Sequence, residues 1–320
     1  MNDVLKKISN IGIVPVVVLD EASDAEPLAK ALIEGGLPCA EVTFRTAAAE
    51  ESIKNMASKF PNMLVGAGTV LTTEQVDRAV NAGAKFIVAP GLNEKVVKYC
   101  LEKNIPMVPG VNNPSDIEKA LELGLDVVKF FPAEASGGLA MIKAMAAPYT
   151  TVKFMPTGGI SAKNICDYLA FDKIIACGGS WMVKKELVKE GRFDEIRKLT
   201  EEAVRLMLGF SLRHLGINCE DGEKATEVAN FYDNLFGFTA VDGPQSLFAG
   251  TEIEAMKFMG RGTLGHIAIG TNSVVRAKNY LETVKGVKFD ESSAVYKGER
   301  LHLIYIDKEV GGFAIHLVQK

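Results

Sequence analysis

A single lysine, Lys129, stands at the far end of an apolar run, Asp126-Val-Val-Lys-Phe-Phe-Pro-Ala-Glu134. Valine and phenylalanine on either side of it predict a strand buried on both faces, and Pro132 must end that strand because proline cannot donate to a ladder. An ammonium in such surroundings is costly. Desolvation favours the neutral amine, a nucleophile for carbonyl carbon, whereas a lysine at a strand mouth can also serve simply to hold an anion. The run by itself fits both uses. A second set of reactive types lies upstream in Glu41-Val-Thr-Phe-Arg45, where the two-residue period of a strand places Glu41, Thr43 and Arg45 on one face. A carboxylate there can move protons, and a guanidinium can grip a planar carboxylate through two parallel hydrogen bonds.

These groups can act together only if the strands carrying them end in the same place. Up to about residue 208, short runs rich in valine and isoleucine (14–19, 39–44, 63–66, 86–89, 105–108, 127–131, 152–155 and 174–176) alternate with helical patterns. The helical segments, such as 24–34, 47–59, 73–81 and 114–123, follow Ser, Thr or Asn caps and carry apolar residues at i, i+3 and i+4. Eight strand–helix units in about 200 residues predict an α/β fold, a closed parallel (β/α)8 TIM barrel, with its active site at the C-terminal strand ends. No GxGxxG follows the first strand, which argues against an open dinucleotide-binding sheet.

The strand ends share a character. They read Gly66-Ala-Gly-Thr69, Ala89-Pro-Gly91, Val108-Pro-Gly110, Pro156-Thr-Gly-Gly-Ile160 and Cys177-Gly-Gly-Ser-Trp181. Any one of these is an ordinary turn. Together with a carboxylate, an arginine and a lysine at the same end, they predict backbone that approaches a ligand closely. Thr157-Gly158-Gly159 and Gly178-Gly179-Ser180 follow strands seven and eight, where barrels of this kind bind phosphate through backbone N–H groups, so an anion is expected in the substrate.

Composition narrows the partners. A chain of 320 residues with 48% apolar content is long enough for two cores, and a net charge of -4 gives no electrostatic reason to expect nucleic acid or an anionic membrane. Cys39, Cys100, Cys166, Cys177 and Cys219 are scattered, odd in number and without a CxxC pair, as expected of reduced thiols in the cytoplasm. The apolar stretch 11–19 is interrupted by Pro15 and followed by Asp20 and Glu21, so it reads as a first strand rather than a leader. No run approaches the length of a membrane span.

The motifs Glu41-Val-Thr-Phe-Arg-Thr46, Gly66-Ala-Gly-Thr-Val70, Pro90-Gly-Leu92, Lys129-Phe-Phe-Pro-Ala-Glu134, Thr157-Gly-Gly-Ile160 and Gly178-Gly-Ser-Trp181 resemble those of the bacterial 2-keto-3-deoxy-6-phosphogluconate (KDPG) and 4-hydroxy-2-oxoglutarate (KHG) aldolases. The resemblance covers nearly all of residues 1–208. It implies a metal-free class I aldolase, usually trimeric, that splits a 2-keto-4-hydroxy acid into pyruvate and an aldehyde. On this resemblance Lys129 forms a Schiff base and Glu41 moves protons. Arg45 and Thr69 would contact the pyruvate-derived carboxylate, Pro90 and Phe131 would line the pocket, and Gly158, Gly159, Gly179 and Ser180 would hold phosphate, with Thr157 and Gly178 in the same loops.

The pattern changes after Leu208-Gly-Phe-Ser211, which predicts a first domain over 1–209 and a smaller α+β domain over 210–320. The second region holds all four histidines and repeats itself: Arg213-His-Leu-Gly-Ile-Asn218 is echoed by Gly265-His-Ile-Ala-Ile-Gly270. Each is followed by an amphipathic helical segment, 225–235 and 273–284, and each half closes with a hairpin strand, predicting two βαβββ units of about 50 residues with a cup between them. With Phe231-Tyr-Asp-Asn-Leu-Phe-Gly-Phe238, this resembles the glyoxalase/bleomycin-resistance, or vicinal-oxygen-chelate, superfamily. The resemblance places metal ligands at His214, Glu254, His266 and His316, the last departing from a usual glutamate. It leaves two readings open: a divalent metal site acting on a small oxygenated substrate, with imidazole suiting Zn, Ni, Fe or Cu, or a metal-free module for binding or assembly.

Overall fold

The computed structural model describes residues 1–320, which form two compact units, Met1–Met207 and Leu208–Lys320. The first unit opens with a helix that the sequence reading missed, Asp3–Ile11. The Asn2 side chain caps it by accepting from the Leu5 amide at 2.9 Å, and Gly12 closes it in the left-handed region at φ 81°. Leu5 and Ile8 on this helix pack into the barrel core with Val14, Phe86, Val108, Val127 and Met155.

The parallel strands are β1 (Ile13–Val17), β2 (Cys39–Thr43), β3 (Leu64–Gly68), β4 (Ile87–Val88), β5 (Met107–Val108), β6 (Gly110–Val111), β7 (Val127–Phe130), β8 (Lys153–Pro156) and β9 (Cys177–Gly179). Six of them run β5-β4-β3-β2-β1-β9 in one sheet, and β6-β7-β8 form another. The break lies at Pro109, which has no N–H to give, so one extended run pairs with β4 before the proline and with β7 after it. Isolated parallel bridges Phe154↔Ile174 and Thr157↔Gly178 link β8 to the β9 run, which pairs with β1. The pairings therefore make a circuit, with helices between the strands, in an α/β domain of TIM-barrel type.

Several strand bounds differ by one to three residues from the sequence reading. The last strand was expected at 174–176 and lies at Cys177–Gly179; two glycines carry no strand propensity, and pairing with Ile13, Val14 and Pro15 decides the matter instead. The first strand ends at Val17 rather than at 19. Helix Thr73–Asn81 falls where the apolar period puts it, capped by the Thr72 hydroxyl, which accepts from the Gln75 amide.

The second unit is mainly sheet. Its strands are β10 (Ser211–Asn218), β11 (Ala240–Asp242), β12 (Ser246–Ala249), β13 (Ile253–Met256), β14 (Gly265–Thr271), β15 (Phe289–Lys297), β16 (Arg300–Val310) and β17 (Phe313–Gln319). They lie in the order β11-β12-β13-β10-β14-β17-β16-β15. Helix Gly222–Phe236 follows β10 and helix Val274–Thr283 follows β14, so each half runs strand, helix, three strands. Small side chains let the first of these helices sit close to the sheet: Ala225 and Ala229 pack with Cys219, Leu247, Ala249 and Ala255. No helix of either unit is long and apolar enough to cross a membrane.

Candidate active site and candidate metal centre

Every residue of β7 is buried, and Lys129 is only 5% exposed. Its Nζ lies 3.4 Å from Oε1 of Glu41, which β2 holds with no exposed surface at all. The carboxylate rests over β3, where Gly68 makes the space: a Cβ at that position would stand 2.2 Å from Oε1. Gly66, two residues earlier, makes the same kind of room for the Phe86 ring. These two glycines therefore seat protein side chains rather than a ligand. Burial pushes the Cys39 thiol up, with the Glu41 charge adding to the effect, so this neighbour is no competing nucleophile.

Two buried atoms beside this pair lack any hydrogen-bond partner, Oε2 of Glu41 and Oγ1 of Thr157. Buried polar atoms are rarely left so, and an acceptor and a hydroxyl with free capacity are what an incoming keto acid would satisfy. Thr157 is 6% exposed and projects over Gly178, where a Cβ would lie 2.3 Å from its Oγ1. Phe131 brings its ring centroid to 5.3 Å from the lysine Nζ. Thr69 stands at φ 55°, left-handed backbone that a β-branched residue rarely adopts and that tends to persist where a site holds it. The Pro90 carbonyl lies 2.0 Å from where a Gly110 Cβ would be, so β4 and the 107–111 run are in backbone contact.

The outer part of the site is a cavity of about 760 Å³. Arg45, Thr46, Gly159, Ser180, Trp181 and Lys184 are on its wall, with Val16, Val18, Lys185 and Glu186. Lys129 and Glu41 are too deeply buried to be part of that wall. Arg45 is steadied through its Nε, which donates to Thr43 Oγ1 at 3.3 Å, while the Thr43 hydroxyl donates to the Val17 carbonyl at 2.9 Å. Gly158 and Gly159 have φ of 99° and 83°, a turn other residues enter only with strain. Sequence reasoning missed the lysines at 184 and 185, which no motif singles out. It also missed Tyr168, almost fully buried, whose hydroxyl donates to Glu134 Oε1 just where the Glu134 side chain crosses Gly159.

The sequence family described as KDPG and KHG aldolase matches residues 4–199. The chain belongs to this family. It is 52% identical over 204 residues to the 2-dehydro-3-deoxy-phosphogluconate aldolase of Haemophilus influenzae, covering 64% of this chain and 96% of that one. With the KHG/KDPG aldolase of Escherichia coli K12 it shares 44% over 192 residues, 60% of this chain and 90% of that one. Among solved structures, a KDPG aldolase from Legionella pneumophila, with pyruvate captured as a covalent carbinolamine, matches with a TM-score of 0.61 and 38% identity. That match spans 62% of this chain and 97% of the other. The first unit is thus a class I KDPG/KHG aldolase domain, a carbon–carbon lyase.

The aldolase match ends at residue 199, ahead of the second unit, which gathers its own polar cluster. His214 on β10, Glu254 on β13, His266 on β14 and His316 on β17 come from four neighbouring strands at the centre of the sheet. The ligand atoms of the three histidines lie within 4.8 Å of one another. Nε2 of His214 and Nε2 of His266 are 3.1 Å apart, and each approaches the same Glu254 oxygen, Oε2, at 3.1 and 3.0 Å. The His266 ring lies flat over Gly216, where a Cβ would be 2.1 Å from Cε1. The Ser246 hydroxyl donates to the other oxygen of Glu254 at 2.6 Å, and Nδ1 of His316 faces the Leu317 carbonyl at 3.4 Å. Burial opposes ionisation of Glu254, but hydrogen bonds from His214, His266 and Ser246 outweigh it and hold the carboxyl well below the usual carboxylate range. Burial, reinforced by His266 and His214, pushes His316 down to about 3. His302, the remaining histidine, sits on β16 outside the cluster.

Proposed function

We propose that the barrel works through a Schiff base on Lys129, cleaving KDPG to pyruvate and glyceraldehyde 3-phosphate, or 4-hydroxy-2-oxoglutarate to pyruvate and glyoxylate. The observation that carries this reading is the buried Lys129–Glu41 pair with one carboxylate oxygen left unpartnered. The amine adds to the C2 carbonyl, and loss of water gives an iminium. Glu41 then takes the proton of the C4 hydroxyl while the C3–C4 electron pair flows into the iminium, releasing the aldehyde and leaving an enamine. Protonation of the enamine at C3 and hydrolysis return pyruvate and the free amine. Arg45 and Thr69 hold the carboxylate, Pro90, Phe131 and Thr157 shape the keto end, and Gly158, Gly159, Gly179 and Ser180, with Gly178 in the same loop, receive the far end, a phosphate in KDPG. The circuit of parallel pairings is read as the closed (β/α)8 barrel whose strand ends assemble this site, no cofactor being required.

Borohydride reduction in the presence of pyruvate is expected to leave a stable adduct on Lys129, located by peptide mass spectrometry. No adduct, together with activity abolished by EDTA, would point to a metal-dependent lyase instead. The trimer implied by the family resemblance is checked by sedimentation of the full chain.

The second unit is read as a divalent-metal centre held by His214, His266, His316 and Glu254. The donor set fits. Two imidazole nitrogens and a carboxylate oxygen meet about 3 Å apart with too few protons to satisfy them all, and bonds of about 2.0–2.1 Å to one ion imply ligand spacings of about that size. A bound ion would supply Lewis acidity toward a small oxygenated ligand. The chain itself orients the donors: Ser246 fixes the Glu254 carboxylate, and the His316 Nδ1–H donates to Leu317, leaving Nε2 for the ion. Metal analysis of the full chain is expected to find one ion that His266→Ala loses. A metal-free wild type would leave the alternative, a module for binding or assembly.

A further inference from the structure

The cavity wall beside the aldolase site carries four charged side chains, Arg45, Lys184, Lys185 and Glu186. Two of the three cations are engaged. Lys185 is held by Asp20 at 2.9 Å, Lys189 reaching the same carboxylate at 3.2 Å, and these lysines keep the Asp20 carboxyl below its usual range. Arg45 is turned toward Thr43 at the end of β2. Lys184, exposed on the same wall, enters no ion pair. With Lys185 paired to Asp20 and Arg45 turned toward Thr43, Lys184 is the cation of this wall left for a ligand. It faces a cavity whose wall also includes the polar residues Thr46, Gly159, Ser161 and Ser180.

A substrate whose keto carbon is fixed at buried Lys129 and whose carboxylate takes Arg45 must send its remaining carbons out through this cavity. Lys184 follows the Gly178-Gly179-Ser180-Trp181 loop by three residues. A flexible stem ending in a compact charge suits a tetrahedral phosphate, which presents oxygens in several directions and does not demand a planar fork. We infer that Lys184 is a specificity-determining residue of this aldolase: its ammonium binds the distal phosphate of the substrate and sets the preference for phosphorylated over unphosphorylated keto acids. This rests on the Schiff-base reading of Lys129 and adds to it a side chain outside the reacting centre.

The test compares Lys184→Met with wild type on KDPG and on its unphosphorylated counterpart, 2-keto-3-deoxygluconate. The expected result with KDPG is a KM raised about twofold to fivefold at unchanged kcat, since an exposed ion pair is worth up to about that factor. The unphosphorylated acid is unaffected, Lys184→Arg recovers most of the loss, and added salt shrinks the wild-type advantage. An equal loss on both substrates, or no loss on either, overturns the inference. Borohydride trapping of pyruvate separates the two layers of argument. An adduct formed by Lys184→Met as readily as by wild type is the expected result; a wild-type chain that forms none sinks the Schiff-base reading, and this inference with it.

Discussion

The two polar clusters of this chain handle buried charge in opposite ways. In the barrel, Lys129 Nζ and Glu41 Oε1 face each other at 3.4 Å, and Glu41 Oε2 and Thr157 Oγ1 are among the buried atoms left without a hydrogen-bond partner. A basic and an acidic side chain there answer each other within the protein, and hydrogen-bonding capacity stays open, on the proposed reading for a substrate's hydroxyl and carbonyl. In the second unit, three imidazoles crowd one carboxylate, and donor atoms outnumber the protons that could lie between them. On the reading proposed above, balance there calls for a cation from outside. The comparison teaches that burial alone does not announce chemistry. The identity of the missing partner does: on the proposed readings, a carbon electrophile in one case and an ion in the other.

Removing one member from each cluster sharpens the contrast. Lys129→Met should lower kcat/KM for KDPG on the order of 10⁴-fold or more, as loss of a covalent nucleophile does, while metal content stays at the wild-type value. If aldol cleavage survived in that variant, covalent chemistry in the barrel would be excluded. Gly68→Ala should cost about 100-fold, the effect of moving a reacting group by about an ångström, because the new methyl takes the place of Glu41 Oε1. The signature is a fall in kcat with pyruvate trapping still present, and unchanged kcat would mean that the carboxylate does not need its seat on β3. Ser246→Ala is the mildest: metal affinity falls about 10- to 100-fold, as when a ligand loses its orienting hydrogen bond, and aldolase kinetics do not change. Equal metal affinity in titrations of both chains would break the link between Ser246 and the centre.

How much of this was legible in the sequence depended on whether a residue's role was local. Helix 73–81 could be read because its cap and its apolar period are both written in neighbouring residues. The aldolase motifs were equally readable, being runs of three to six residues. The Asp3–Ile11 helix was hidden by the eye-catching apolar strand behind it, although Asn2 was a cap in plain view. The glycines were the least legible. Gly66 and Gly68 looked like places where backbone nears a ligand, but their tasks are to seat Phe86 and Glu41, partners 20 and 27 residues away. Strand β9 was displaced in the reading for the same reason, since Gly178 and Gly179 offer no side chain for a propensity to describe. The four residues of the histidine cluster were named by analogy with a superfamily. What no local pattern could supply was the meeting of His214 and His266 on a single carboxylate oxygen of Glu254, which follows from the register Gly216↔Glu254 and Gly216↔His266 across three strands.

The interruption at Pro109 reaches further than the bookkeeping of sheets. Its carbonyl accepts the main-chain N–H of Lys129 at 2.8 Å, so Lys129 hangs from a link that can receive but never give. A proline holds its φ nearly fixed, and through this hook its stiffness is lent to the strand opposite. On the proposed Schiff-base reading, the amine that meets a carbonyl carbon owes part of its placement to an anchor twenty positions earlier in the chain, whose side chain takes no part in the reaction.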